Sequence, residues 1–150
     1  MSLSAQSIVL AKRRAFNYDF KPSTQLALQA LFSYLNQFKG GPDLQIVPFD
    51  NLTGTDAIIA DAACKVYAIW LKKETTVAAF FKGSDHASVS SSTAPEIALR
   101  QNTIEEDLLI FPNGLALTTG LTVSSDTTSD GNTTSAAGDG ATGFVILGNP

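Results

Sequence analysis

Residues 65–82 read KVYAIWLKKETTVAAFFK, and this stretch decides the fold class. Two apolar runs, 65–72 and 76–82, are rich in β-branched and aromatic side chains, which favour strands over helices. Charged and small polar residues separate the two runs, as is typical of a turn. The stretch therefore predicts two successive β-strands.

The same pattern continues through the rest of the chain beyond residue 43. Short apolar runs are punctuated by Gly, Pro, Asn, Asp and Ser, which is typical of antiparallel sandwiches. Further strands are predicted at 44–49, 57–59, 96–101, 107–111, 115–123 and 144–147. We therefore predict a mainly β protein in which residues 44–150 form an antiparallel, jelly-roll-like β-sandwich of about eight strands.

Residues 1–43 are predicted to form a distinct N-terminal segment that begins with an extended arm. Within this arm Phe16, Tyr18 and Phe20 alternate with polar residues, which indicates a strand with one apolar face. Two interpretations of that strand stay open. It either reaches across a neighbouring subunit or forms the first strand of the chain's own sheet.

One α-helix is predicted in the second half of this segment. Pro22 and the two hydroxyl residues after it are typical of a helix start, and leucines then recur at helical spacing from residue 28 to 35. The Gly-Gly-Pro sequence at 40–42 ends the pattern. The apolar surface is broad, so we expect this helix to be covered on more than one side.

Charge is unevenly distributed along the chain. The net charge is −4, but residues 1–40 carry +4, so the remaining residues carry −8. The cluster Lys12, Arg13 and Arg14 accordingly predicts a contact with an acidic neighbour, with Phe16, Tyr18 and Phe20 as apolar anchors. The alternative is a solvated basic patch. A nucleic-acid partner is not predicted, because the acidic remainder of the chain repels phosphate.

A membrane partner is not predicted either. The longest apolar stretch, residues 58–71, is interrupted by Asp61 and Lys65 and is too short to cross a bilayer. The N-terminus places its basic residues after a short apolar run, which reverses the order found in a secretory signal.

The inventory of reactive side chains argues against an enzyme. The chain has one histidine, His86, and one cysteine, Cys64, so any Ser-His-Asp or multi-histidine metal site is severely limited. Ser84 and Asp85 adjoin His86, but adjacent residues rarely converge on one substrate. Residues 138–143 match GxGxxG without the preceding strand that a dinucleotide site requires. No catalytic residue, metal or cofactor is predicted.

The segment 124–143 is composed of Ser, Thr, Asp, Gly, Asn and Ala and is predicted to be a loop. It contains the oxygen-bearing side chains Asp126, Asp130, Asn132 and Asp139. Their spacing fits no EF-hand, and calcium binding by this loop stays an open alternative.

Three stretches resemble a known group of proteins. These are VYAIWLKKETTVAAFFK at 66–82, TAPEIAL at 93–99 and FPNGLALTTGLTV at 111–123. They resemble small β-sandwich virion proteins of tailed bacteriophages, of the capsid decoration or cement type. The first stretch is similar to the opening hairpin of these proteins, the second to the next element, and the third to their most recognisable segment. The chain departs from that pattern at the charged turns 72–74 and 105–107.

The resemblance implies a structural virion protein that is assembled in the host cytoplasm and is not an enzyme. Its expected partner is the major capsid protein, with copies of this chain grouped around a local symmetry axis, three being the expected number. A tail, neck, baseplate or fibre-attachment component, which would contact tail proteins instead, is the first alternative. A carbohydrate-binding β-sandwich module is the alternative from another functional class, and it requires exposed aromatic side chains.

Overall fold

The computed structural model describes residues 5–37, 43–54, 57–73, 75–76, 78–86, 95–102, 104–126 and 140–150. Within them lie two helices and eight strands. In chain order these are α1 (Ala5–Ala15), α2 (Pro22–Leu35), β1 (Leu44–Phe49), β2 (Ala57–Ala60), β3 (Cys64–Lys73), β4 (Ala79–Ser84), β5 (Ile97–Gln101), β6 (Glu105–Leu117), β7 (Leu121–Asp126) and β8 (Ala141–Gly148). The prediction of a mainly β protein is confirmed.

The strands form two four-stranded antiparallel sheets. The first sheet has the order β1-β8-β3-β6 and the second has the order β2-β7-β4-β5. The pairing is nested along the chain: β1 pairs with β8, β2 with β7, β3 with β6, and β4 with β5. The pairs β3–β8 and β4–β7 complete the sheets. Since β3 and β4 lie in different sheets, the expected hairpin at 66–82 is wrong, although both of its strands are present.

The first sheet is apolar on both faces, which explains the continuous apolar runs of β3 and β8. One face carries Ile69 and Val145, which pack with Phe81 and Val123 of the second sheet. The opposite face carries Trp70 and other side chains that pack against the two helices. Helices, first sheet and second sheet therefore form three successive layers. A central sheet covered on both sides needs apolar residues at consecutive positions, and the usual polar alternation is lost.

The N-terminal segment differs from the prediction of an extended arm and one helix. Residues 5–15 form a second helix, α1, and Phe16, Tyr18 and Phe20 lie in the irregular connection to α2. Ala, Leu, Lys and Arg favour helix, and three basic residues in the last turn are favourable at the negative end of the helix dipole. The alternation of aromatics was therefore wrongly interpreted as a strand. The helix predicted after Pro22 is confirmed as α2.

β6 is one long strand with a bulge, where two strands were expected. Its register with β3 jumps from Ala68↔Ile110 to Val66↔Leu115, so several residues of β6 face the single residue Tyr67. Gly114 lies inside this bulge with φ of 77°, a left-handed conformation that glycine adopts without strain. The chain then turns at residues 118–120, inside the strand that was predicted for 115–123.

The predicted loop 124–143 is shorter than expected. Residues 124–126 belong to β7 and residues 141–143 to β8. Residues 127–139, which include most of the oxygen-bearing side chains considered for calcium, lie outside the described residues.

Candidate interaction surface

Helix α1 presents its basic residues to solvent. The buried side chains that the structure describes in this helix are those of the small residues Ala11 and Ala15, which are 3% and 0% exposed and belong to the core shared with the first sheet. Lys12, Arg13 and Arg14 are all exposed. The three basic residues predicted to contact a partner thus occupy the outside of the helical layer. That position is one a partner can reach.

Shallow grooves flank the basic residues on both sides of α1. One groove, of about 450 Å³, lies between the two helices and is lined by Val9, Lys12, Arg13, Phe16 and Gln29. The other is lined by Arg14, Asn17, Tyr18, Ile46 and Pro48. Each groove combines apolar atoms with a cationic rim. We call the two grooves together with Lys12, Arg13 and Arg14 the basic surface.

The aromatic residues of the connection pack inside this chain. The ring centroids of Tyr18 and Phe144 are 4.9 Å apart, and those of Phe20 and Trp70 are 5.0 Å apart. Phe16 packs edge-on against Phe20 at 5.9 Å. Phe16 and Tyr18 line the grooves, and Phe20 packs between Phe16 and Trp70. The sequence predicted all three as anchors for a partner, and in the structure they also pack against the chain's own core.

Glu106 holds the start of α2 against the first sheet. Its carboxylate accepts hydrogen bonds from Trp70 Nε1 at 2.8 Å and from the backbone N–H of Lys21 at 3.0 Å. The Lys21 ammonium in turn donates to the backbone carbonyl of Glu106 at 2.8 Å. Lys21 is the N-cap residue of α2, so a carboxylate lies at the positive end of the helix. The sequence predicted an acidic turn at residues 105–107, whereas Glu106 lies in strand β6.

Helix α2 is also attached to the bulge in β6. The Tyr34 hydroxyl donates to Asn113 Oδ1 at 2.9 Å. This contact joins residues 79 positions apart in the chain. The segment 111–114, which carries part of the resemblance to virion proteins, thus serves in this structure to position a helix.

The Ser84-Asp85-His86 sequence is engaged in a turn. The Asp85 carboxylate accepts hydrogen bonds from the backbone N–H groups of Thr118, Thr119 and Gly120 and from the Thr118 hydroxyl, at 2.7 to 3.1 Å. Partial burial alone would raise the pKa of Asp85, but these hydrogen bonds lower it to about 2. The carboxylate is therefore held in a structural role at the β6–β7 turn.

Two further groups considered from the sequence, Cys64 and Asp126, lie in the interior. Cys64 is buried, and burial raises the pKa of its thiol, with the charge of Asp85 acting in the same direction. Asp126 forms an ion pair with Lys82. Among the described residues there is no group of three or more His, Cys, Asp or Glu side chains placed to hold a metal ion. No helix within the described ranges has the length and apolar character required to span a membrane.

Comparison with known proteins returns no match: no protein-family model, curated protein or solved structure is significantly similar to this chain.

Proposed function

We propose that this chain is a structural virion protein of a tailed bacteriophage, which binds the capsid shell and stabilises it as a decoration or cement protein. The observation that carries the proposal is the nested pairing of eight strands in two sheets. A long hairpin that folds over on itself produces this order, and we infer that the sandwich is a jelly roll. Jelly rolls are common in viral capsid proteins, and the resemblance of residues 66–82, 93–99 and 111–123 points to the same class.

In this proposal the basic surface contacts the major capsid protein. Lys12, Arg13 and Arg14 supply positive charge for an acidic neighbour, and the grooves beside them accept apolar side chains. Phe16 and Tyr18 contribute from the groove walls, with Phe20 beneath them. Each contact is modest, and repetition over a shell multiplies it. Stabilising a joint between subunits in this way needs no reactive group or cofactor.

Copies of the chain are proposed to associate around a local symmetry axis, three being the expected number. The acidic remainder of the chain complements the basic surface of a neighbouring copy. The carbohydrate-binding alternative is less well supported, because Trp70 is 3% exposed and lies beneath the aromatic residues of the connection.

A charge reversal tests the proposal on particles. We expect Arg13→Glu to reduce the binding of purified protein to phage capsids that lack it by at least about tenfold, because one attractive contact becomes repulsive. The matched control is Arg100→Glu, which reverses an exposed charge on β5 far along the chain from the basic surface. Binding is measured by co-sedimentation at low and moderate salt, and the difference between the variants should shrink as salt screens the exposed charges.

Equal binding by the two variants would contradict the role of the basic surface. Quantitative mass spectrometry of purified particles tests the location separately. Hundreds of copies per particle support the capsid shell, and a dozen or fewer place the protein in the tail, neck, baseplate or fibre. Absence of the protein from particles would reject the virion assignment.

A further inference from the structure

Lys82 and Asp126 meet on the outer face of the second sheet. Phe81 and Val123 point into the core between the sheets, so their neighbours Lys82 and Ser124 point the opposite way. Lys82 lies opposite Ser124 in the β4–β7 register, and Asp126 is two residues further along β7. A diagonal cross-strand neighbour is within reach of a lysine side chain. The Lys82 ammonium and Asp126 Oδ2 are in direct contact.

This pair is almost completely removed from water. The Lys82 side chain is 6% exposed and that of Asp126 is 1% exposed. Removing an ammonium and a carboxylate from water is costly, and transfer of one proton between two such groups in contact removes both charges and leaves an amine and a carboxylic acid. A neutral amine is a nucleophile, and the Cγ of a carboxylic acid is the carbon that it attacks.

A hydroxyl group beside the pair fits the same chemistry. Ser124 Oγ lies 3.5 Å from Asp126 Oδ2 and is directed toward it as a donor. Hydroxyl donors near a carboxyl oxygen polarise the carboxyl group and can pass a proton to it.

We propose that Lys82 and Asp126 condense to form an isopeptide bond that joins β4 to β7. The ammonium first passes a proton to the carboxylate. Nζ then attacks Cγ, a C–N bond forms, and one C–O bond breaks. The departing oxygen takes a second proton from Nζ and leaves as water. One ammonium and one carboxylate thus give one amide and one water, with no change in net charge and no other reactant.

A contact between another lysine and an acidic residue, Lys21 and Glu106, shows why burial matters. Lys21 is exposed and donates its ammonium hydrogen bond to the backbone carbonyl of Glu106. There the amine contacts a peptide carbonyl instead of a carboxyl group, and the site is open to water. The Lys82–Asp126 pair combines contact with exclusion of water, which also protects the amide from hydrolysis. The inference does not depend on the proposed function.

The test is the intact mass of the full-length protein, measured after denaturation. We expect wild-type protein to be lighter by one water than its sequence, and fragmentation should give a branched peptide that joins the segments around Lys82 and Asp126. The Lys82→Arg variant should have its full mass. It also controls for cyclic imides at the Asp-Gly sequences 130–131 and 139–140, which lose water whether or not Lys82 is present.

A second variant tests the proposed reaction through its leaving group. Asp126→Asn would release ammonia instead of water, so its cross-linked product should have the same mass as cross-linked wild type. Wild-type protein at full mass would overturn the proposal and leave an ordinary buried ion pair. Loss of water that persists in Lys82→Arg would overturn it as well. The wild-type measurement decides the matter even where a variant fails to fold.

Discussion

Asp85 and Glu106 each connect parts of the chain that are far apart in sequence. Asp85, at the end of β4, receives its hydrogen bonds from the turn at residues 118–120. Glu106, in β6, receives its own from Lys21 and Trp70. Hydrogen bonds to a carboxylate are stronger than those between neutral groups. Single acidic side chains therefore hold the β6–β7 turn and the start of α2 in place.

Replacement of Asp85 should make stability less dependent on pH. The folded-state pKa of about 2 lies below the ordinary value of 3.8, so the ionised carboxylate stabilises the fold above pH 3.8, and this contribution is lost as pH falls toward 2. Asp85→Asn keeps one acceptor oxygen and should lower the free energy of unfolding at neutral pH by roughly 1 kcal/mol, a value reduced for solvent screening.

Urea denaturation of both proteins over a range of pH checks this expectation. The free energy of unfolding should differ most between wild type and Asp85→Asn at neutral pH, and this difference should become smaller as pH falls toward 2. A difference that stays constant over the whole range would show that the charge of Asp85 contributes nothing.

At the scale of elements, β3 and β8 form the centre of the first sheet, and their close approach depends on glycine. A Cβ atom added at Gly143 would lie 1.9 Å from the backbone oxygen of Trp70. Backbone atoms cannot move aside as a flexible side chain can. The tight pairing of these two strands therefore leaves no room for any side chain at this position.

Gly143→Ala should accordingly disrupt the β3–β8 pair and lower the free energy of unfolding by about 3 kcal/mol or more. Gly83→Ala is the matched control on β4, because its new Cβ would meet side-chain atoms at 3.5 Å, an ordinary contact distance. The free energy of unfolding of the control should fall by less than about 1 kcal/mol. Thermal unfolding followed by circular dichroism measures both, and equal losses in the two variants would contradict the expectation.

For the whole molecule, the helical layer and the two sheets share the first sheet as their common centre. Phe16, Tyr18 and Phe20 pack against the same cluster as Trp70 and Phe144. The segment that carries the basic surface is therefore also part of the core. A deletion that removes it tests folding and partner binding together, which is why single charge reversals are the better test of function.

Deletion of residues 1–21 should strongly destabilise the protein. It removes three partly buried aromatic side chains, which together contribute roughly 5 kcal/mol, a large share of the stability of a small domain. Chemical denaturation followed by the fluorescence of Trp70, the single tryptophan, measures the loss. Arg13→Glu is the control and should unfold at nearly the wild-type denaturant concentration, because its side chain is exposed. A deletion variant as stable as full-length protein would separate this segment from the core.

Local sequence pattern accounts for a large part of this structure. The apolar runs predicted the strands of the two sheets, and the spacing of leucines predicted α2, because burial on one or both faces imposes a period on the sequence. Lys12, Arg13 and Arg14 are exposed, as charged side chains usually are. These features depend on neighbours in the chain, which a sequence reports directly.

The remaining features depend on the folded path of the chain. Alternating Phe16, Tyr18 and Phe20 fit a strand equally well, and their contacts with Trp70 and Phe144 depend on how the chain folds back. The same holds for Lys21 with Glu106, 85 positions apart, and for Lys82 with Asp126. Periodicity predicts which side of an element is buried. The residues that this buried side contacts are determined by the path of the chain through space, because contacts between distant residues leave no local pattern.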